Sequence, residues 1–236
     1  MQLSKTQKGI IGLLAVAAAG YSYIPSVCSK AKYFSLPGEK DKTLYLTFDD
    51  GPSATHTGKL LDLLAEYHVK ATFFVVADFA KKNPKLIERM KAEGHLIGLH
   101  SLEHKSAMLQ TPFYTDYEFK ESIKIMKALG VDVKYYRPPW GHVNLFTLRN
   151  LKKYNLKKVI WHVMAEDWEE DTTEEEIQYK LLKRAGKGDV ICLHDGRGKK
   201  EEAPEKMIAA LEKTIPIWLE EGYQFKLIDE KEEHES

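Results

Sequence analysis

Short runs of apolar and β-branched residues alternate along this chain with stretches of helical periodicity, and residues able to do chemistry stand where the short runs end. Thr43–Phe48, Ala71–Val76, His95–Leu99, Tyr135–Tyr136, Lys157–Val163, Asp189–Leu193 and a closing Tyr223–Ile228 are too short for helices and read as strands. Between them the spacing predicts helices over Thr57–Tyr67, Asn83–Glu93, Asp116–Leu129, Asn144–Tyr154, a segment opened by Thr173 with Glu176 three residues on, and Glu205–Glu221 with Pro216 bending it. Strand–helix alternation with short connections indicates an α/β fold of parallel strands covered by outer helices. A length of 236 residues suits one large core, such as a single-domain (β/α) barrel.

The C-terminal ends of barrel strands carry catalysis. At those ends stand Asp49 and Asp50, His100, Arg137, Asp167 and His194. His100 and His104 are four apart, a spacing that predicts both ring nitrogens on one side of a helical turn. Alone, such a pair is a weak signal. With Asp50, it makes a donor set of two imidazoles and a carboxylate that suits a divalent ion and leaves room for water. Neighbouring strand residues face opposite ways, so one of Asp49 and Asp50 is expected to ligate and the other to lie beside the water. Arg137, stiffened by Pro138-Pro139, is a natural partner for Asp49. His194 next to Asp167 would have its tautomer fixed and its pKa raised, which suits a general acid. Trp168 would either wall a small apolar pocket or belong to the core. His56, His68, His95, His142 and His162 have no partners legible in the sequence and are taken as structural.

Lys+Arg and Asp+Glu both number 35, a neutrality that argues against nucleic acid as a partner. No protein partner is implied. Two cysteines, Cys28 and Cys192, exclude both a disulfide framework and a cysteine-rich metal site. Lys5 and Lys8 precede an uncharged apolar run, Ile10–Ala19. Residues 1–28 are therefore expected to be a signal peptide or an N-terminal membrane anchor, giving an exported protein, secreted or held at the outer face of the cytoplasmic membrane. Pro25-Ser26-Val27 ahead of Cys28 is a poor lipidation site. Residues 29–42 read as a linker, and 43–230 as the catalytic domain.

Five segments in this order, Thr47-Phe48-Asp49-Asp50-Gly51-Pro52, His100-Ser101-Leu102-Glu103-His104, Arg137-Pro138-Pro139-Trp140-Gly141, Asp167-Trp168 and Leu193-His194-Asp195, resemble the motifs of polysaccharide deacetylases, carbohydrate esterase family four. The resemblance spans Lys42 to Leu227. It implies a distorted (β/α) barrel that hydrolyses acetyl groups from N-acetylated sugars, less often O-acetyl esters, of a cell-wall or extracellular glycan. It further implies one divalent metal, Zn²⁺ before Co²⁺, Ni²⁺ or Mn²⁺, on Asp50, His100 and His104. Asp49 resembles the catalytic base, Arg137 its tether, and His194 the general acid oriented by Asp167. Trp140 matches the position whose backbone N–H binds the oxyanion, and Trp168 the wall of the acetyl pocket. Two positions depart from the family pattern. Met164 replaces an Asp, which alters local hydrogen bonding, and Cys192 replaces a Leu at the pocket floor, which bears on substrate preference.

Overall fold

The computed structural model describes residues 4–34, 42–196 and 202–233. After α1 (Lys5–Ala18), a π-helical turn and α2 (Ile24–Phe34), the elements follow in the order β1 (Thr43–Asp49), α3 (Thr57–Glu66), β2 (Thr72–Val75), α4 (Ala77–Lys82), α5 (Pro84–Ala92), β3 (Leu96–Leu99), α6 (Pro112–Ala128), β4 (Tyr135–Tyr136), α7 (Leu145–Lys153), β5 (Lys157–Lys158), β6 (Val163–Met164), α8 (Glu174–Arg184), β7 (Asp189–His194), α9 (Ala203–Glu220), β8 (Gln224–Phe225) and α10 (Ile228–Glu233). All strand pairs are parallel, in the order β5-β4-β3-β2-β1-β7-β6, with β8 added beside the start of β1.

β5 and β6 stand at opposite ends of this order, yet only residues 159–162 separate them. The sheet must therefore curl until its edges nearly meet. The expected strand Lys157–Val163 is thus two strands. Its middle crosses the gap, with the Val159 N–H bonded to Tyr136 O at 2.9 Å on one edge and the His162 N–H to Val190 O at 2.8 Å on the other. The result is a distorted, incompletely closed β/α barrel in a single domain.

Alternation along the strands sorts the residues into two layers. Leu44, Leu46 and Phe48 of β1, Phe73 of β2 and Ile191 and Leu193 of β7 pack outward against the helices in the main core. Tyr45, Phe74, Tyr135, Val159 and Val190 form a second cluster inside the curl, capped by Ile228. Above that plug the inward positions turn polar, with Thr47 and Asp49 on β1 opposite Cys192 and His194 on β7. Hydrophobic burial thus closes the barrel floor and leaves its C-terminal mouth to chemistry.

Helix ends follow their capping residues. α8 opens on the expected capping box, Thr173 with Glu176. α6 starts four residues before the expected Asp116, because Thr111 caps it and Pro112 occupies its first position, where a missing N–H costs nothing. α4 and α10 are additional to the expected elements. The stretch predicted as a linker is helical through Phe34, and residues 35–41 of it lie outside the described residues.

Candidate active site

β1 delivers Asp49 and then stops. Asp50 takes φ 70°, a left-handed conformation that breaks the strand alternation, so both carboxylates line one cavity of about 550 Å³. Gly51 and Gly196 allow the loops after β1 and β7 to touch. A Cβ on Gly51 would fall on the Asp195 carboxylate, and one on Gly196 on the Asp50 carbonyl.

His100 follows β3. The segment to His104 is a loop and not the expected helical turn; Ser101 and His104 both have positive φ. Ser101 Oγ accepts from the His104 N–H at 2.9 Å, and the carbonyls of Ser101 and Leu102 accept from the first amides of α4, Ala77 and Asp78. These bonds hold the loop so that Asp50 Oδ1 lies 3.3 Å from His100 Nε2 and 2.9 Å from His104 Nε2. His100 Nδ1 sits 2.7 Å from the Arg137 carbonyl, an acceptor only, so Nδ1 carries the proton and Nε2 of the neutral ring presents a lone pair. Buried Asp50 Oδ1 makes no hydrogen bond there. Lone pairs facing one another in a buried space call for a cation between them, and the three donors suit a divalent metal. Burial alone would push the Asp50 carboxyl up and the His100 imidazole down; the closeness of Asp50 to His100 and His104, with Asp49 beside His100, reverses both, so protons on these imidazoles and a bound cation compete for the same space.

Asp49, Cys192 and His194 form a second cluster of potential ligands. It fits a cation less well. Burial pushes the Cys192 thiol well above its ordinary pKa, and the thiol donates to Asp49 Oδ2 at 3.3 Å. A protonated thiol is a poor ligand.

Arg137 is fully buried. One guanidinium nitrogen donates to Asp49 Oδ1 at 2.8 Å and to Thr47 Oγ1 at 2.7 Å, while the guanidinium lies 4.2 Å from the Phe74 ring centroid. Asp49 is held from both sides, by arginine on one oxygen and thiol on the other. His194 is the strand partner of Asp49. Its backbone N–H donates to Asp167 Oδ2 at 2.8 Å, and its Nδ1 lies 3.1 Å from Asp167 Oδ1. Burial works against the imidazolium, but Asp167 outweighs it and raises the pKa to about 9.

Trp140 at φ 54° edges the mouth, half exposed, with its ring 4.4 Å from that of His104. Trp168 stands edge-on to His194 at 5.0 Å. Met164 and Cys192 both line the cavity. Every candidate site residue named from the sequence is therefore at this mouth or holds a residue that is. Trp161, on the gap-crossing segment, also lines the cavity and was missed, because nothing in sequence shows where a broken strand turns a side chain inward. Asp195 enters the sequence reading only as the end of the Leu193-His194-Asp195 motif, with no role of its own. It is buried, accepts a hydrogen bond from Thr57, and has its pKa raised by burial to about 7. Of the remaining histidines, His95, His142 and His162 each have a ring nitrogen in a hydrogen bond: the first and last accept from the backbone amides of Ala71 and Val190, and His142 lies beside Ser106 Oγ.

A donor set for one divalent cation, flanked by a tethered carboxylate and a carboxylate-backed imidazole, defines a metal-dependent hydrolase site at the mouth of a β/α barrel. The sequence profile of polysaccharide deacetylases matches residues 37–159. A peptidoglycan-N-acetylglucosamine deacetylase of Bacillus cereus is 31% identical over 192 residues, covering 80% of this chain and 88% of that protein. The peptidoglycan-N-acetylmuramic acid deacetylase PdaA of Bacillus subtilis is 34% identical over 209 residues, covering 87% and 77%. Among solved structures, the Bc1960 peptidoglycan N-acetylglucosamine deacetylase superposes with a TM-score of 0.76 at 30% identity, covering 82% of this chain and 90% of that one. The family 4 carbohydrate esterase of Streptomyces lividans, in complex with acetate, gives 0.71 at 28% identity, covering 80% and 93%. The chain belongs to the polysaccharide deacetylase family, carbohydrate esterase family four. It is a metal-dependent hydrolase acting on carbon–nitrogen bonds other than peptide bonds.

Proposed function

We propose that residues 43–230 form a catalytic domain that removes N-acetyl groups from the amino sugars of an exported glycan, with peptidoglycan the first substrate to try. Support comes from the names of the relatives and from an N-terminal apolar helix, Thr6–Lys30, long enough to carry the domain out of the cytoplasm. A chitooligosaccharide deacetylase of Rhizobium leguminosarum bv. trifolii is 32% identical over 188 residues, so short chitin-type oligomers belong in the same panel.

Asp50, His100 and His104 would hold the metal, with zinc the first ion to test for this nitrogen–oxygen donor set. When bound, a divalent cation supplies Lewis acidity toward an acetamide carbonyl. Asp49 accepts the proton of the attacking water, its carboxylate held in place by Arg137. The N–H of Trp140 faces the developing oxyanion. His194 carries its proton on the ring nitrogen not engaged by Asp167 and delivers it to the departing sugar amine. Trp168, Trp161 and Cys192 wall the space for the acetyl methyl.

The observation that supports this reading is the pairing of Asp49 with His194 across β1 and β7, two groups suited to accept and to donate a proton, on adjacent strands above one floor. The test is acetate release from N-acetylated peptidoglycan and chitooligosaccharides, with and without chelator. Chelator-sensitive release, restored by zinc, supports it. Glycan binding with no release under any added metal would make the domain a binding module.

A further inference from the structure

The loop from Arg137 to Asn144 carries Trp140 and is fixed at both ends. Arg137 is locked into the barrel, and Asn144 caps α7 through a capping box and donates to Ala107 O at 2.8 Å. In its middle, His142 Nδ1 lies 3.0 Å from Ser106 Oγ and the Trp140 ring packs on His104, while Trp140 adopts a left-handed conformation that a non-glycine residue keeps only when its surroundings hold it there. The N-terminal segment adds to the hold. Lys30 Nζ donates to the Trp140 carbonyl at 2.9 Å and lies 5.9 Å from the Trp161 ring centroid. Its aliphatic stem packs on Gly141 so closely that a Cβ there would strike it. Ser26, buried, bonds both backbone groups of Val143, donating to the carbonyl at 2.9 Å and accepting from the amide at 3.0 Å. Lys158 donates to the Ser29 carbonyl at 2.9 Å, and Tyr21 Oη to Gln110 O at 3.1 Å. Exposed apolar side chains run along the whole helix, Ile10, Leu13 and Val16 before Tyr21, and Tyr23, Ile24 and Val27 after it, but only after Tyr21 do buried Ser22 and Ser26 accompany them.

We propose that the segment Tyr21–Lys30 is a retained part of the catalytic unit, with Lys30 and Ser26 positioning the Trp140 loop. The inference rests on the oxyanion role given above to the Trp140 N–H. A carbonyl pinned by an ammonium fixes the Trp140–Gly141 peptide plane, and the paired Val143 bonds fix the loop three residues further on. A leader cleaved beyond Lys30 would remove both holds.

The test uses the full chain in detergent micelles. K30M and S26A should each lower kcat roughly ten-fold, with KM within about two-fold and zinc content unchanged. K30R keeps a donor and should recover most of the loss. Independently of activity, hydrogen exchange at residues 138–144 should speed up in K30M and S26A, and the intact mass of the mature protein should include Tyr21–Lys30. Wild-type kcat and exchange in K30M, a loss that K30R does not recover, or a fully active mature form beginning beyond Lys30 would each overturn the proposal. A wild-type protein that releases no acetate but still shows Lys30-dependent exchange of this loop would overturn the deacetylase reading and leave the positioning role standing.

Discussion

The two halves of the active site use the same side chains to opposite ends. On the β3 side, His100 hands its Nδ1 proton to a backbone carbonyl, that of Arg137. On the β7 side, His194 faces the carboxylate of Asp167. The carbonyl fixes the tautomer and leaves Nε2 toward the metal position; burial lowers the His100 pKa, but Asp49 and Asp50, in front of the ring, outweigh it and raise it in the metal-free protein. A carboxylate favours the imidazolium, and His194 is raised to about 9 although burial opposes it. The carboxylates divide likewise. Asp50 meets only imidazole lone pairs, whereas Asp49 is held by a buried guanidinium and a thiol. What lies behind each group, more than its type, separates ligand from proton carrier.

The sharpest way to break this division is to remove the metal side alone. Asp50→Ala should abolish zinc binding, read by elemental analysis of the purified protein, and lower kcat by at least roughly 10³-fold. Next in size are Asp49→Asn and His194→Ala. Each should cost roughly 10²–10⁴-fold in kcat while zinc stays bound. Zinc lost from either variant would mean that the two halves are one donor set and that the second cluster of ligands is the true site.

Asp167→Asn gives a smaller and more diagnostic effect. His194 should drop from about 9 toward its ordinary value near 6.5, read by NMR titration of the metal-free protein. The sign follows from the group's role: a general acid must be protonated, so turnover falls as pH rises through this pKa. The alkaline limb should therefore move to lower pH in the variant, and kcat at pH 7 should fall by roughly four-fold from the lost protonation. Stability has the same sign in the metal-free protein. The folded pKa lies above the unfolded one, so the contribution is complete below about pH 6.5 and is lost as pH rises through about 9. Urea melts at pH 6 and pH 10 should show that loss in the wild type and much less of it in Asp167→Asn.

Much of this was legible in the sequence because it is local. Period-two alternation in β1 and β7 places Asp49 and His194 on inward positions, and five strand ends carry the reactive residues to one edge. What was not legible depends on closure. The break in Lys157–Val163 exists because two distant sheet edges need a bridge, a requirement that no window of residues contains. The loop at 100–104 departs from a helical turn because two left-handed residues and the amides of α4 capture it. Helix α2 was not legible because it straddles two readings, a leader or anchor to residue 28 and a linker from 29, and only Val143 and Trp140 provide the partners that order Ser26 and Lys30.

Cys192→Leu tests the finest part of the contrast, the hold on Asp49. Leucine fills more of the pocket floor and removes the Sγ–H donor to Asp49 Oδ2, leaving Arg137 on the other oxygen. The thiol bond is long and its donor weak, so the ion pair should dominate the placement of the carboxylate. A change in kcat of less than roughly five-fold is expected, with a rise in KM for bulkier acyl groups than acetyl as the floor moves inward. Cys192→Ser separates the two contributions, since it keeps a donor while leaving the floor open. If serine matches the wild type while alanine, which leaves the floor open but has no donor, loses as much kcat as leucine, the hydrogen bond, and not the volume, is what this chain gains from cysteine at the position. If all three are near wild type on acetyl substrates, Arg137 alone suffices to set the base, and the contrast between the two halves narrows to the partner behind each imidazole.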